Sequence, residues 1–311
     1  MRVLVTGATG FTGTWMMDYL SGQAGVKPVG LIRHPPDKQQ REVTSFQWIT
    51  ADLLDRKTLI EKVLEIRPDA IIHLGGLTRG TIENLLQVNA VGTGNILDAG
   101  FAANPDCRML VISSSAVYGY PRIAPIKETT PVRPLSEYGI SKIAQEAVAV
   151  LHHERNDANS SIIRPFNLAG PGQPESFICG KIIKQVTEIE QQQKTTIDLQ
   201  EITSARDFVD IRDVVRGYWA LLSHPEFSRN CAGQIYNMGS GNDYPVSKII
   251  RLIEEITGQN YIVKLPAQPP KILIPSQQSD NTQILSVTGW KPQISLKDTL
   301  RDMLTAARRN P

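Results

Sequence analysis

Met1-Arg2-Val3-Leu4-Val5-Thr6-Gly7-Ala8-Thr9-Gly10-Phe11-Thr12-Gly13 decides how this 311-residue chain is built. Val3 to Val5 form a short apolar run with β-branched members, which suits a buried parallel strand. Three glycines at three-residue spacing follow, and Trp15-Met16-Met17 with Tyr19-Leu20 then open a packed helix. In a strand–turn–helix unit, Gly7 can take the unusual dihedrals of the turn and Gly10 lets the backbone approach a pyrophosphate. Gly13 lets the helix lie close on the strand. A glycine triplet alone also fits a plain turn. Its placement between a strand and a helix N-terminus favours dinucleotide binding.

The rest of the chain reads as further β/α alternation. Val26–Ile32, Phe46–Thr50, Asp69–Gly76, Met109–Ser115 and Ser160–Pro165 are strand candidates, with Gln234–Met238 as a last one. Asn89 onward, Phe177–Gln192, Ile211–Leu222, Val246–Thr257 and Leu296–Ala307 carry apolar residues at helical spacing. The expected fold is α/β, a Rossmann-type doubly wound parallel sheet with a smaller C-terminal substrate-binding domain. Residues 1–165, with 211–238 returning to them, are expected to form the dinucleotide-binding domain. Residues 166–210 and 239–311 are expected to form the second. The 265–275 loop between the last helices is proline-rich and is expected to border the substrate.

Composition narrows the class. Apolar residues make up 41% and charged residues 21%, the values of an ordinary globular enzyme. A net charge of +2 gives no reason to expect nucleic acid as a partner, and Arg308-Arg309 reads as a solvated helix end. Cys107, Cys179 and Cys231 are far apart and lack CxxC spacing, which argues against a disulfide framework and against a zinc or other metal site. A first strand starting at Arg2 leaves no room for a signal peptide, and no run reaches the ~18 apolar residues of a membrane span. A cytoplasmic location is therefore expected.

Several residues carry chemistry. An NAD-preferring fold usually has an acid at the end of the second strand, about 20 residues past the glycines. Here the strand runs into Arg33-His34, with no acid before Asp37. A guanidinium can pair with a ribose phosphate, so NADP(H) is favoured over NAD(H), although Arg33 also fits a solvated strand end. Asp52 could accept a bond from adenine, and Asp55 could cap the helix that follows. His73 sits among apolar neighbours and reads as a satisfied core histidine. Tyr138 and Lys142 are four apart and share a helix face. A phenol titrates near 10. An ammonium one turn away is expected to lower that value toward working pH.

These residues, with the glycine motif, resemble the extended short-chain dehydrogenase/reductase family, in the branch that works on nucleotide-activated sugars. The carrying motifs are Gly7-Ala-Thr-Gly10-Phe-Thr-Gly13, Ser113-Ser114-Ser115-Ala-Val-Tyr-Gly119, Tyr138-Gly-Ile-Ser-Lys142 and Arg164-Pro-Phe-Asn167. Gly170-Pro-Gly-Gln173, Arg206-Asp-Phe-Val-Asp-Ile-Arg-Asp213, Ile235-Tyr-Asn-Met-Gly-Ser-Gly241 and Gly289-Trp-Lys-Pro292 extend the match to nearly the whole chain. The C-terminal half is most similar to the GDP-4-keto-6-deoxy-D-mannose reductases. The resemblance implies reduction of a nucleotide-linked 4-keto-6-deoxyhexose at C4, with a GDP-sugar favoured and no nucleic acid or membrane involved. Tyr138 would donate the proton and Lys142 would hold the nicotinamide ribose. Ser114 would meet the reacting oxygen, with Ser115 as the fallback.

For the cofactor the resemblance implies Gly7, Thr9, Gly10, Phe11, Thr12, Gly13, Arg33, Asp52, Leu53, Leu74, Gly75, Tyr138, Lys142 and Arg164. For the substrate it implies Ser114, Ser115, Asn167, Arg206 and Lys271. Arg206 fits a diphosphate or an ion pair with Asp207 or Asp210, and Asn167 fits a substrate contact or a turn. A homodimer through the helices near Asn89–Ala103 and Ser136–His153 is usual for such proteins, and internal packing of their apolar faces is the alternative. The sequence departs from the family at three places. Ala116 stands where the 4,6-dehydratases carry the acid that abstracts a proton from C5, and where reductases often keep one. Gly75-Gly76 replaces Ala-Ala in a shortened segment. Pro270 replaces a late diphosphate-binding arginine, leaving Lys271, a point charge without the guanidinium fork. The alternatives are a 4-epimerase with bound NAD and a non-catalytic dinucleotide sensor. Retention of Ser114, Tyr138 and Lys142 speaks against the sensor.

Overall fold

The computed structural model describes residues 1–34, 46–121, 123–268 and 276–309. Asp37, Pro270 and Lys271 lie outside the described residues, as does most of the 265–275 loop. Strands follow in the order β1 (Arg2–Thr6), β2 (Lys27–Ile32), β3 (Gln47–Thr50), β4 (Ala70–His73), β5 (Arg108–Ile112) and β6 (Ser160–Pro165). After these come β7 (Asn167–Ala169), β8 (Ile197–Asp198), β9 (Ala205–Asp210), β10 (Ile235–Met238), β11 (Asp243–Pro245) and β12 (Val263–Lys264). Seven of them form one sheet in the order β10-β6-β5-β4-β1-β2-β3, every pair parallel. The winding reverses between β1 and β4, and that reversal opens a crevice at the carboxyl ends of the strands.

The sheet is covered on both faces, so β4 and β6 are buried at every residue. Alternation along the strands sends Val3 and Val5 to one face and Leu4 to the other. On the first face these meet Met16, Met17 and Leu20 of helix Phe11–Ser21 and Val214, Val215 and Tyr218 of helix Ile211–Leu222. On the second, Leu4 and Ile71 meet Leu59, Ile96, Leu97 and Ala149. A separate core lies between helices Ile178–Glu190, Val246–Thr257 and Leu296–Arg309, under a small sheet of order β11-β9-β7. Among the described residues β12 pairs only with β8. Ile284 and Trp290, although inside 239–311, pack into the first core.

Two local expectations need correcting. Met109–Ser115 is not strand throughout: β5 stops at Ile112, and Ser114 caps a 3-10 turn over Ser115–Tyr118 by accepting from the Ala116 N–H at 3.1 Å. The helix read from Asn89 onward starts earlier, at Ile82, and passes through a π turn at Gln87–Val91 before Gly92–Ala103. That turn contains Asn89, whose amide donates to Leu77 O and Ser141 Oγ and whose Oδ1 accepts from Leu77 N. A polar side chain tied to the crevice explains the extra residue, and such bulges cluster at working sites.

Candidate active site

Gly7 sits at φ +65°, and a Cβ there would fall 2.9 Å from Gly75 N. A Cβ on Gly13 would fall 2.1 Å from Gly7 O. These positions accept only hydrogen, which is why the turn is so tight. Gly10 precedes helix Phe11–Ser21 without a side-chain cap, and no acid occupies the first turn. The N–H groups of Phe11, Thr12 and Gly13 therefore keep their anion-binding capacity. This cradle of bare backbone fits a dinucleotide's pyrophosphate.

A cavity of about 820 Å³ opens from this cradle across the switch point. Gly7, Gly10, Phe11, Thr12 and Gly13 form one wall, with Leu74, Gly76, Leu77, Thr78 and Arg79 beside them. Ser113, Ser114, Ser115 and Ala116 come from the end of β5, and Tyr138 and Lys142 from the first turns of helix Glu137–Asn156. Asn167, Gln173, Phe177, Arg206 and Phe208 close the cavity from the second lobe, and Tyr218 reaches it from helix Ile211–Leu222. Of the predicted residues, the cavity thus gathers Gly7, Gly10, Phe11, Thr12, Gly13, Leu74, Ser114, Ser115, Tyr138, Lys142, Asn167 and Arg206. Thr9, Arg33, Asp52, Leu53, Gly75 and Arg164 lie outside its lining. Arg33 is exposed at the end of β2, and Asp52 accepts from Leu54 N at 2.9 Å. Asp55 takes the capping role by accepting from Thr58 N and Oγ1. Gly75 is buried and donates to Thr6 Oγ1, and Leu53 packs against it.

Arg164 is committed to protein partners outside the cavity lining. Its guanidinium makes a bidentate pair with Glu146 at 2.6 and 2.8 Å and also donates to the Tyr118 hydroxyl and Glu128 O. All of this lies beneath the cavity, where the sheet and helix Glu137–Asn156 enclose it. The sequence offered Asp207 or Asp210 as partners for Arg206, but both are engaged elsewhere. Asp207 accepts from Ser279, Ser240 and Gly241, and Asp210 from Arg212 and Thr299. Arg206 lines the cavity, donates to Ala205 O, and is lowered from its ordinary pKa by burial.

The three serines divide by direction. Ser113 donates to Glu146 at 2.5 Å and is committed below the site. Ser114 lines the cavity together with Tyr138, close enough to influence its phenol. Burial pushes that phenol up to about 12, against a smaller downward pull from Ser114. The expected lowering by Lys142 is not found. The amine lies 5.8 Å from the Tyr138 ring centroid, and burial drives its own pKa down to about 7 against the charge of Glu146. A phenol at about 12 holds its proton at neutral pH, which suits a proton donor.

Lys142 Nζ donates to Ile112 O at 2.8 Å and to Gln145 Oε1 at 2.7 Å, leaving its third N–H for the cavity. Gln145 donates in turn to Thr93 Oγ1, whose own proton goes to Asn89 O at 2.6 Å. The Thr93 oxygen can then only accept from His73 Nε2, which lies 2.9 Å away. Burial holds His73 down at about 3, so the ring is neutral and its Nδ1 accepts from Thr6 Oγ1 at 2.8 Å. Thr6 meanwhile accepts from Gly75 N. Hydrogen counting thus assigns every proton from Lys142 to the glycine turn. Because the Thr93 proton ends on a backbone carbonyl, this chain fixes Lys142 in place and offers no path for protons. Sequence reading saw His73 as a core residue but could not see Thr6, Thr93 and Gln145 meeting it, since they are far apart in the chain.

A family model described as GDP-mannose 4,6 dehydratase matches residues 4–303. GDP-6-deoxy-D-mannose reductase of Pseudomonas aeruginosa is 32% identical over 313 residues, spanning 98% of this chain and 96% of its own. UDP-glucose 4-epimerase of Mycolicibacterium smegmatis is 27% identical over 308 residues, 96% of each chain. Among solved structures, RMD from Pseudomonas aeruginosa complexed with NADPH has a TM-score of 0.86 at 28% identity, covering 100% of this chain and 99% of that one.

Proposed function

The chain belongs to the GDP-mannose 4,6-dehydratase family of the extended short-chain dehydrogenase/reductases, and on that premise we propose that it reduces a nucleotide-linked 4-keto-6-deoxyhexose at C4. The favoured substrate is the GDP-linked sugar, after the Pseudomonas aeruginosa reductase. One observation carries this reading above dehydration. A protonated Tyr138 with Ser114 beside it shares a cavity with the glycine cradle, and Ala116 lines the same cavity without any group to take a C5 proton. The favoured cofactor is NADP(H), with NAD(H) as the alternative. Exposed Arg33 fits a ribose phosphate, and the similar Pseudomonas structure holds NADPH.

The cofactor, when bound, supplies hydride to the sugar carbon. Gly7, Gly10, Phe11, Thr12 and Gly13 would hold its pyrophosphate through backbone N–H groups, with Asp52 and Leu53 on the adenosine side. Lys142 keeps one N–H for the nicotinamide ribose. Tyr138 gives its proton to the developing C4 alkoxide while Ser114 hydrogen-bonds the same oxygen. Arg206 and Asn167 orient the diphosphate and sugar from the second lobe, formed by 166–210 and 239–311. Nucleotide 4-keto-6-deoxy sugars carrying GDP, UDP or dTDP, each incubated with NADPH and NADH, test the reading by loss of nicotinamide absorbance. Stoichiometric NADPH consumption with the GDP-sugar is expected. Turnover of a 4-hydroxy sugar by protein purified with tight NAD and needing no added cofactor would make it an epimerase instead, a reading kept open by the epimerase relative.

The partner surface belongs to the same proposal. Val91, Ile140 and Leu151 are 48%, 46% and 47% exposed on the paired helices, an apolar face that suits a second copy of the chain. Light scattering should give a dimer for the wild type and a monomer for Leu151→Glu. No helix among the described residues is long and apolar enough to cross a membrane. The three buried free thiols suit a reducing cytoplasm.

A further inference from the structure

Tyr218 is fully buried in helix Ile211–Leu222, yet it lines the floor of the active cavity. Its hydroxyl has no hydrogen-bond partner among the described residues. Burying a hydroxyl without a partner is costly, and native structures tolerate such groups where something else completes them. The helix has no freedom to turn the ring away. A Cβ on neighbouring Gly217 would fall 2.6 Å from Met238 Cε, and Trp290 Nε1 donates to Asp213 O one turn earlier. Tyr218 and Tyr138 line the same cavity, within electrostatic reach of each other.

The position selects the ligand. Tyr218 rises from the sheet face that carries the glycine cradle's own helix, and Phe11 and Leu74 pack on the same core. The polar groups set for the sugar, Asn167 and Arg206, come instead from the opposite lobe. Whatever meets Tyr218 lies deep, between the cradle and Tyr138, where the hydride-donating ring must sit. We propose that the Tyr218 hydroxyl hydrogen-bonds the carboxamide of the nicotinamide and so fixes which face of the ring meets the sugar. A phenol can give a proton to the amide oxygen or accept one from the amide nitrogen. Tyr218 is thus a positioning residue. The inference rests on the cofactor reading above and is independent of the sugar.

The test titrates NADPH and 2′-phospho-ADP-ribose, which lacks the nicotinamide, into wild-type protein and Tyr218→Phe. The variant removes only an unpartnered oxygen, so without ligand its melting temperature should equal or exceed that of the wild type. NADPH should bind about 3- to 10-fold more weakly to the variant, the worth of one neutral hydrogen bond. 2′-Phospho-ADP-ribose should bind both proteins equally. Unchanged NADPH affinity overturns the assignment, as it would if only a water met the hydroxyl. A loss shared equally by the two ligands overturns it as well. Failure of the wild type to bind any nicotinamide nucleotide refutes the cofactor reading and this contact together, whereas normal wild-type binding with no variant difference refutes the contact alone.

Discussion

Replacing Glu146 by leucine should unfold this protein at a markedly lower temperature, and the structure gives the size of the effect. Arg164 and Glu146 are 4% and 6% exposed, and two charge-assisted bonds of 2.6 and 2.8 Å join them. Leucine keeps most of the volume but leaves a guanidinium buried with only the Tyr118 hydroxyl and Glu128 O as acceptors. Breaking a buried pair from one side costs about 3–5 kcal/mol. At about 2.1 cal/mol/K per residue, a chain of 311 residues unfolds with roughly 0.65 kcal/mol/K, so the loss reads as about 5 to 8 °C. Removing both charges, in Glu146→Leu/Arg164→Met, should recover most of it, because an apolar pair of similar volume leaves no lone charge. Calorimetric melts of wild type, both single variants and the double variant give the coupling directly. NADPH titration of the double variant supplies the second readout. If Arg164 works only beneath the site, affinity should stay within about tenfold of wild type. A Glu146→Leu melt within 1 °C of wild type would refute the energetics. A double variant that folds well but has lost NADPH would return Arg164 to the cofactor.

Tyr138→Phe should lower turnover by roughly 10²- to 10⁴-fold, the usual worth of a positioned acid, while NADPH affinity by fluorescence titration stays near wild type; undiminished turnover would remove Tyr138 from the chemistry. Gly13→Ala should abolish NADPH binding and lower the melting temperature, since its methyl would fall 2.1 Å from Gly7 O. Lys142 and His73 should give two separable pH effects on stability, because each holds its proton less readily folded than unfolded. The penalty from Lys142 is full below about 7 and fades as pH rises toward 10.5; that from His73 is full below about 3 and fades toward 6.5. Melts across pH should therefore lose their slope between 7 and 10.5 in Lys142→Met and between 3 and 6.5 in His73→Asn. Slopes unaffected by these substitutions would count against both assignments.

What could be read from the sequence was what depends on neighbours in the chain. β1 and the helix after it were legible because three glycines, an apolar run and a helix stripe lie within twenty residues. Tyr138 and Lys142 were legible because helical geometry converts a spacing of four into one face. Electrostatics was not legible, since it depends on depth. An ammonium one turn away suggested a softened phenol, but desolvation raises the Tyr138 phenol and lowers the Lys142 amine instead. The pair of Arg164 with Glu146 was hidden for a similar reason: a cation at the end of a strand invites a ligand, whereas Glu146 sits on a helix and shows no pattern with it. Tyr218 gave no signal at all, because an aromatic residue among Val214, Val215, Leu221 and Leu222 reads as core. Only the cavity lining reveals that its hydroxyl ends where no group among the described residues answers it. The three groups whose state could not be read from the sequence, in Tyr138, Lys142 and Tyr218, share one property. Each is a polar atom whose state is set by what is absent around it, water for Tyr138 and Lys142 and a hydrogen-bond partner for Tyr218. No one-dimensional pattern encodes an absence in three dimensions.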